Sequence, residues 1–392
     1  MVTRDNGKVL GLLAVAASWG LFWGGWAALI PVIKAKLALT DQELGLALFA
    51  VPVAAVPAML FTGRVTDRLA QHALPIVTAI FALGVVLTGL AQSRPAFTAA
   101  LLVVGGASGA IEVALNATTA AHEARDGTRL FNKVHAVTPL AMVVAAPGVG
   151  LATELGASPP AVLTVIALLT AASAVLAVDS RSWRARAESE TERGTRRGLV
   201  RRPLLLVGAV GAVVLLMENA VEQWGAIHLD REAAAGPLVA SIAPAGYMIG
   251  LSVGRMLAQW KGYRYGDGVL VAAGGSLGGI GLAIGAAGGS GLAVVAGFTL
   301  AGVGLAPVLP TLLGMAGRAC GPKRRSTAIS LVTTASYTGF LLSPPLVGLL
   351  AGLVGLPTAF GLVALGGLVV LAGAQVVRLL PVREERRLQA IS

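Results

Sequence analysis

The stretch FTAALLVVGGASGAIEVALNATT, residues 97–119, decides how the chain is read. It carries no charge except Glu112 and is long enough to cross a hydrocarbon core as a helix. At helical spacing Gly105, Gly109, Glu112 and Asn116 stand at i, i+4, i+7 and i+11, within about 60° of one face. Two glycines on that face predict a groove, with the two polar side chains on its floor. An ionisable side chain near the bilayer centre costs about 2.5–3.5 kcal/mol on insertion scales, so Glu112 calls for a cavity or a partner. A carboxyl group so placed is a candidate proton carrier. The plainer alternative is a carboxylic acid that only hydrogen-bonds a neighbouring helix.

Runs of the same kind recur along the whole chain, at about 9–33, 43–62, 73–91, 97–119, 130–153, 159–178, 203–226, 236–257, 268–287, 291–315, 327–352 and 356–379. With 56% hydrophobic and only 12% charged residues, lipid is the solvent for most of this surface. The mean hydropathy of +0.80 agrees. The reading is an all-α integral membrane protein of twelve transmembrane helices. The apolar run after Arg4 and Lys8 exceeds the h-region of a signal peptide and is kept as the first span.

A net charge of +11 raises the question of a nucleic-acid partner, and its placement answers it. With a cytoplasmic N-terminus, all of the 30 Lys and Arg residues except Lys34, Lys36, Arg94 and Arg231 fall in inner loops and tails. The basic surplus is therefore topology and contact with anionic lipid, and both termini are expected in the cytoplasm. The longest polar segment, DSRSWRARAESETERGTRRGLVRR at 179–202, has too little apolar content to fold alone. It separates a six-helix bundle at 1–178 from a second at 203–392. Gly63-Arg64 near the end of span two recurs as Gly254-Arg255 near the end of span eight, a weak internal repeat of the kind parallel-repeat transporters show.

The loop Gly63-Arg64-Val65-Thr66-Asp67-Arg68 resembles the G-x3-D-[RK] signature of the major facilitator superfamily, and the resemblance implies gating roles for Gly63, Asp67 and Arg68. Ala70, Gln71 and His72 depart from the pattern, and Ala258 replaces the acid in the second copy. EVALN (112–116), His135-Ala136, the segment Glu218 to Trp224 and TTASYTGFLLSPPLVG (333–348) are similar to a bacterial subgroup related to fucose-permease-type sugar permeases. That likeness implies the major facilitator fold, a sugar-like solute, and Trp224 and Tyr337 among the solute-binding residues. Gln223 stands where the subgroup has an acid. A partial antiporter signature, Ala146-Pro147-Gly148-Val149-Gly150, lies in span five.

Other polar residues inside the spans extend the candidate site. Counting outward from the shared loop, His135 reaches a depth similar to that of Glu112 and Asn116, where it pairs with one of them and relays a proton, or is simply an interfacial histidine. In span seven Glu218 and Glu222 share one face and Asn219 and Gln223 another, in what counts as the outer third of the span; Glu218 and Gln223 are the binding candidates. Trp19, Trp23 and Trp26 at i, i+4, i+7 suggest a wall for a ring-shaped solute, or belt anchors. Gly246, Gly250 and Gly254 read as a helix-packing stripe, and Pro307, Pro310, Pro344 and Pro345 as kinks.

Four His and one Cys (Cys320) give no metal pattern, and no Walker loop, cofactor motif or catalytic constellation occurs. The chain is expected to be no enzyme and to need no cofactor. The function expected is a monomeric secondary transporter that moves a small polar, sugar-like solute by alternating access with protons. Proton-coupled efflux of a drug or metabolite is the alternative, and a non-transporting sensor or scaffold the reading from another class.

Overall fold

Lipid offers backbone groups no hydrogen bonds, so each apolar run must satisfy its own as a helix. The computed structural model of the chain describes residues 2–126, 130–178, 201–234, 236–261, 264–320 and 325–377, and no strand occurs among them. In order the helices are α1 (Val2–Lys36), α2 (Asp41–Leu69), α3 (Ala73–Leu90), α4 (Arg94–Asp126), α5 (Phe131–Glu154), α6 (Pro159–Leu176), α7 (Arg201–Ala233), α8 (Gly236–Ala240), α9 (Ile242–Lys261), α10 (Asp267–Ala287), α11 (Gly291–Leu305), α12 (Val308–Ala319), α13 (Arg325–Val354), α14 (Leu356–Ala364) and α15 (Gly366–Val377).

Twelve spans among the described residues are long and apolar enough to cross a membrane, each overlapping one predicted from sequence. The first six and three later ones, spans seven, nine and eleven, are single helices. Span eight is α8 with α9, span ten α11 with α12, and span twelve α14 with α15. The break in span ten falls at Ala306-Pro307, where a proline lacks the N–H that would continue the ladder. Pro344 and Pro345, by contrast, lie inside an unbroken α13.

Two compact units are distinguished: residues 1–191 with 235–245, and residues 192–234 with 246–392. In the first, α1 packs on α5, α2 on α4 and α3 on α6; in the second, α7 packs on α13 and α10 on α14 and α15. Glycines allow the closest approaches. A Cβ on Gly20 or Gly24 of α1 would collide with the Thr138 or Met142 carbonyl of α5, and one on Gly339 of α13 with that of Ala212 in α7. The stripe Gly246, Gly250, Gly254 lies against Thr299 and Val303 of α11, the packing role expected of it. Spans one, two and three thus meet five, four and six, and seven, eight and nine meet eleven, ten and twelve.

The same contacts correct the groove expected at Gly105 and Gly109. Both positions are filled by the α2 backbone at Val51 and Ala55. A small-residue stripe in a membrane helix draws a neighbouring backbone close, and here it draws α2.

One end of the first unit is fastened by polar contacts. Thr40 and Glu43 form a reciprocal capping box at the start of α2, with Glu43 N–H donating to Thr40 Oγ1 at 3.2 Å and Thr40 N–H to Glu43 Oε2 at 2.9 Å. Arg94, opening α4, pairs with Glu43 and donates to the Ala38 carbonyl at 2.8 Å. Aromatic clusters fill each core: Phe22, Trp26, Phe81 and Phe97 in the first unit, Phe298 and Phe360 around His228 in the second.

Candidate functional site

In the first unit, α4 carries Ser108, Glu112 and Asn116 one helical turn apart, so they form a row along the helix. Both ends of the row are held from other helices. Trp19 Nε1 on α1 donates to Ser108 Oγ at 2.8 Å, and His135 Nε2 on α5 lies 3.0 Å from Asn116 Oδ1. An amide oxygen only accepts, so that geometry places the proton of His135 on Nε2. Glu112 sits half-buried between them. Sequence reasoning left two partners open for His135, and Asn116 lies at hydrogen-bond distance from it. It missed Ser108, whose small side chain among alanines and glycines gave no signal.

The second unit arranges its polar groups differently. Because α7 runs unbroken from Arg201 to Ala233, residues 218–223 lie near the middle of their span. The expected outer-third position is thus corrected: the helix continues past Gly225 because Ala226, Ile227, His228 and Leu229 are buried and hold it. Glu218 and Glu222, one turn apart, lie within electrostatic reach of one another and of Arg255 and Tyr247 on α9. The Tyr247 hydroxyl, both amide atoms of Asn219 and the Trp224 indole N–H are buried without a hydrogen-bond partner. His228 Nε2 meets the Gly285 carbonyl at 2.8 Å, while its Nδ1 is also left without a partner. Gln223 is buried, and Tyr337 is half-buried with its ring 6.1 Å from that of Phe340.

Tyr247 and Arg255 were not singled out from sequence. Tyr247 is flanked by the glycines of a packing stripe, and Arg255 reads as the degenerate copy of a loop motif, although it lies inside α9, six residues before its end.

The three tryptophans of α1 do not form one wall. Trp26 is 1% exposed and stacks between Phe22 and Phe97, so it serves the core. Trp23 meets Phe22 edge-on and, like Trp19, keeps part of its surface accessible. Gly63, Asp67 and Arg68 fall near the end of α2, with side chains outside the described residues, and the linker at 179–200 lies outside them altogether. No group of three or more His, Cys, Asp or Glu suited to a metal occurs among the described residues.

Comparison with known proteins places this architecture. The model of the Major Facilitator Superfamily matches residues 10–232 and again 223–391. An uncharacterized MFS-type transporter of Yersinia pestis is 31% identical over 363 residues, covering 91% of this chain and 92% of the relative. The membrane protein MosC of Rhizobium meliloti is 24% identical, covering 94% and 90%. Among solved structures, the nucleoside transporter NupG superposes with a TM-score of 0.79 at 15% identity, covering 94% of this chain and 98% of that one. A bacterial homolog of the human lysosomal transporter Spinster, inward-facing and occupied, gives 0.72 at 14%, covering 95% and 96%. At those identities the structures speak for the fold alone. With both halves matched by the family and a relative 31% identical along nearly its whole length, the chain belongs to the major facilitator superfamily and is a multi-pass membrane transporter, which in a bacterium resides in the inner membrane.

Proposed function

We propose that the protein is a proton-coupled secondary transporter of a small polar, sugar-like solute, working by alternating access. The observation that carries this reading is the 3.0 Å contact between His135 and Asn116, set one turn from Glu112 on α4. A carboxyl group, an imidazole and an amide at that depth give a proton a place to bind and a solute hydroxyl a donor and an acceptor. In this reading Glu112 carries the proton and His135 tunes or relays it. Asn116, Glu218, Gln223, Trp224, Trp19, Trp23 and Tyr337 contact the solute, while Trp26 supports them from the core. Gly63, Asp67 and Arg68 gate the path.

The bundles at 1–178 and 203–392, joined by the basic segment 179–202, are taken as the moving bodies of a single-chain, monomeric transporter. Both termini face the cytoplasm, with the linker against anionic lipid. Reporter fusions after residues 38, 190 and 390 then read outside, inside and inside. An outside signal at 190 contradicts this topology.

The solute class is tested by a thermal-shift screen of the purified protein, followed by proteoliposomes containing a pH-sensitive dye. Polar ring solutes are expected to raise the melting temperature and to move protons when added outside. Hits confined to lipophilic cations would replace this reading with efflux. A protein that moves no protons with any member of a broad panel would be a sensor or scaffold.

A further inference from the structure

The partly accessible tryptophans of α1, Trp19 and Trp23, stand one turn apart and are held in different ways. Trp23 is fixed by a ring: it meets Phe22 edge-on, with centroids 5.0 Å apart at 74°. Trp19 is fixed by a hydrogen bond, its Nε1 donating to Ser108 Oγ at 2.8 Å. That bond reaches between helices whose main partners lie elsewhere, since α1 packs chiefly on α5 and α6, and α4 on α2 and α3. Ser108 is buried and stands one turn before Glu112 on α4. The Trp19 indole is therefore anchored at one end of the polar row, away from the core rings that enclose Trp26.

An indole has a single donor and no acceptor. With that donor given to Ser108, Trp19 has no polar group left for a solute and offers only its ring surface. The electron-rich face of an aromatic ring attracts C–H groups, and a side chain fixed before the solute arrives loses little freedom on binding. The row beside it carries a carboxyl, an amide and an imidazole group for a solute's hydroxyls. A flat C–H face flanked by hydroxyls is what a pyranose ring has and an open-chain polyol lacks.

We propose that Ser108 sets specificity for a ring-shaped sugar, by holding the Trp19 indole so that its face receives the apolar face of a pyranose. Ser108 is a positioning residue and acts through Trp19. The inference rests on the reading of a sugar-like solute given above and narrows it to the ring form. It does not depend on proton coupling.

The test is isothermal titration of the purified full-length protein with a panel of methyl aldopyranosides and with the matching alditols, which carry similar hydroxyls on an open chain. At least one pyranoside is expected to bind, about tenfold or more tighter than its alditol. Ser108→Ala and Trp19→Phe each break the hydrogen bond and keep an aromatic face. Each should weaken that pyranoside about fivefold and leave the alditol unchanged, and the double variant should lose no more than either alone. Trp19→Leu removes the face and should bind pyranoside and alditol alike; with Trp19→Phe it decides the matter if Ser108→Ala does not fold. The proposal is overturned if no pyranoside in the panel binds, if Ser108→Ala binds it as tightly as the parent, if pyranoside and alditol weaken equally in that variant, or if the losses multiply in the double variant. Proteoliposomes containing a pH-sensitive dye separate this result from the coupling. A pyranoside that behaves as described but moves no protons overturns the coupling alone, whereas one that moves protons without dependence on Ser108 overturns only the positioning.

Discussion

The two units build similar helix pairings and then treat their buried polar groups in opposite ways. In the first, Ser108 is held by Trp19, Asn116 by His135, and the Ser18 hydroxyl by that of Ser173 at 3.0 Å. Thr119 is the only residue described there with a buried side-chain polar atom left unpartnered. The second unit leaves Asn219, Trp224, His228 and Tyr247 each with at least one such atom. The helices differ in the same sense: spans one to six are continuous, whereas spans ten and twelve, both wholly in the second unit, are broken. Polar groups satisfied inside a bundle hold it together. Groups left unsatisfied in a low-dielectric interior are costly, and membrane transporters keep such features where something must bind.

Substitutions at matched positions test that contrast, beginning where the effect should be largest. Trp26 and Trp224 are both fully buried, one packed among rings and the other with an unpartnered N–H. Trp26→Ala should cost about 3–5 kcal/mol in thermal or denaturant unfolding, the usual range for an aromatic removed from a core. Trp224→Phe removes the orphaned N–H and should cost much less. A comparable loss at both positions would mean that the second unit packs its tryptophan as the first does.

The close helix crossings should instead respond alike. Gly24→Ala in α1 and Gly339→Ala in α13 each drive a methyl group into a facing carbonyl and should each cost about 1–3 kcal/mol. If one of them were neutral, the structural repeat would not extend to its packing.

Smaller effects should differ in sign. Ser108→Ala strands the Trp19 N–H and should destabilise by about 1 kcal/mol. Asn219→Leu removes two unsatisfied polar atoms and should be neutral or stabilising by about the same amount. The smallest effect is the coupling between Asn116 and His135. A double-mutant cycle in stability should return roughly 0.6 kcal/mol, typical of a hydrogen bond between membrane helices. Zero coupling would remove the bond from the structural account.

The positions of the spans were legible in the sequence because span length and hydropathy are local properties. The stripe at Gly246, Gly250 and Gly254 was legible for the same reason, as a period along one helix. The use made of Gly105 and Gly109 was not: a groove on α4 and a seat for α2 look identical until the partner helix is in place. The end of span seven was misjudged because the polar cluster Glu218 to Gln223 reads as a helix end near 226, while burial of Ala226, Ile227, His228 and Leu229 carries α7 on to Ala233. Tyr247 stayed hidden because the burial of its unpartnered hydroxyl depends on the packing around α9, which no spacing along that helix reveals.

The central claim is that the first unit carries the coupling proton on Glu112. It is tested most directly by comparing Glu112→Gln with the parent in proteoliposomes, using a solute identified by thermal shift. Glutamine keeps the size and hydrogen bonding of the protonated acid but cannot release a proton. The variant should still exchange labelled for unlabelled solute across the membrane, and it should fail to concentrate solute when a proton gradient is imposed, because the step that needs a deprotonated carrier is blocked. Accumulation equal to that of the parent would contradict the account and leave Glu112 as a structural hydrogen-bonding group.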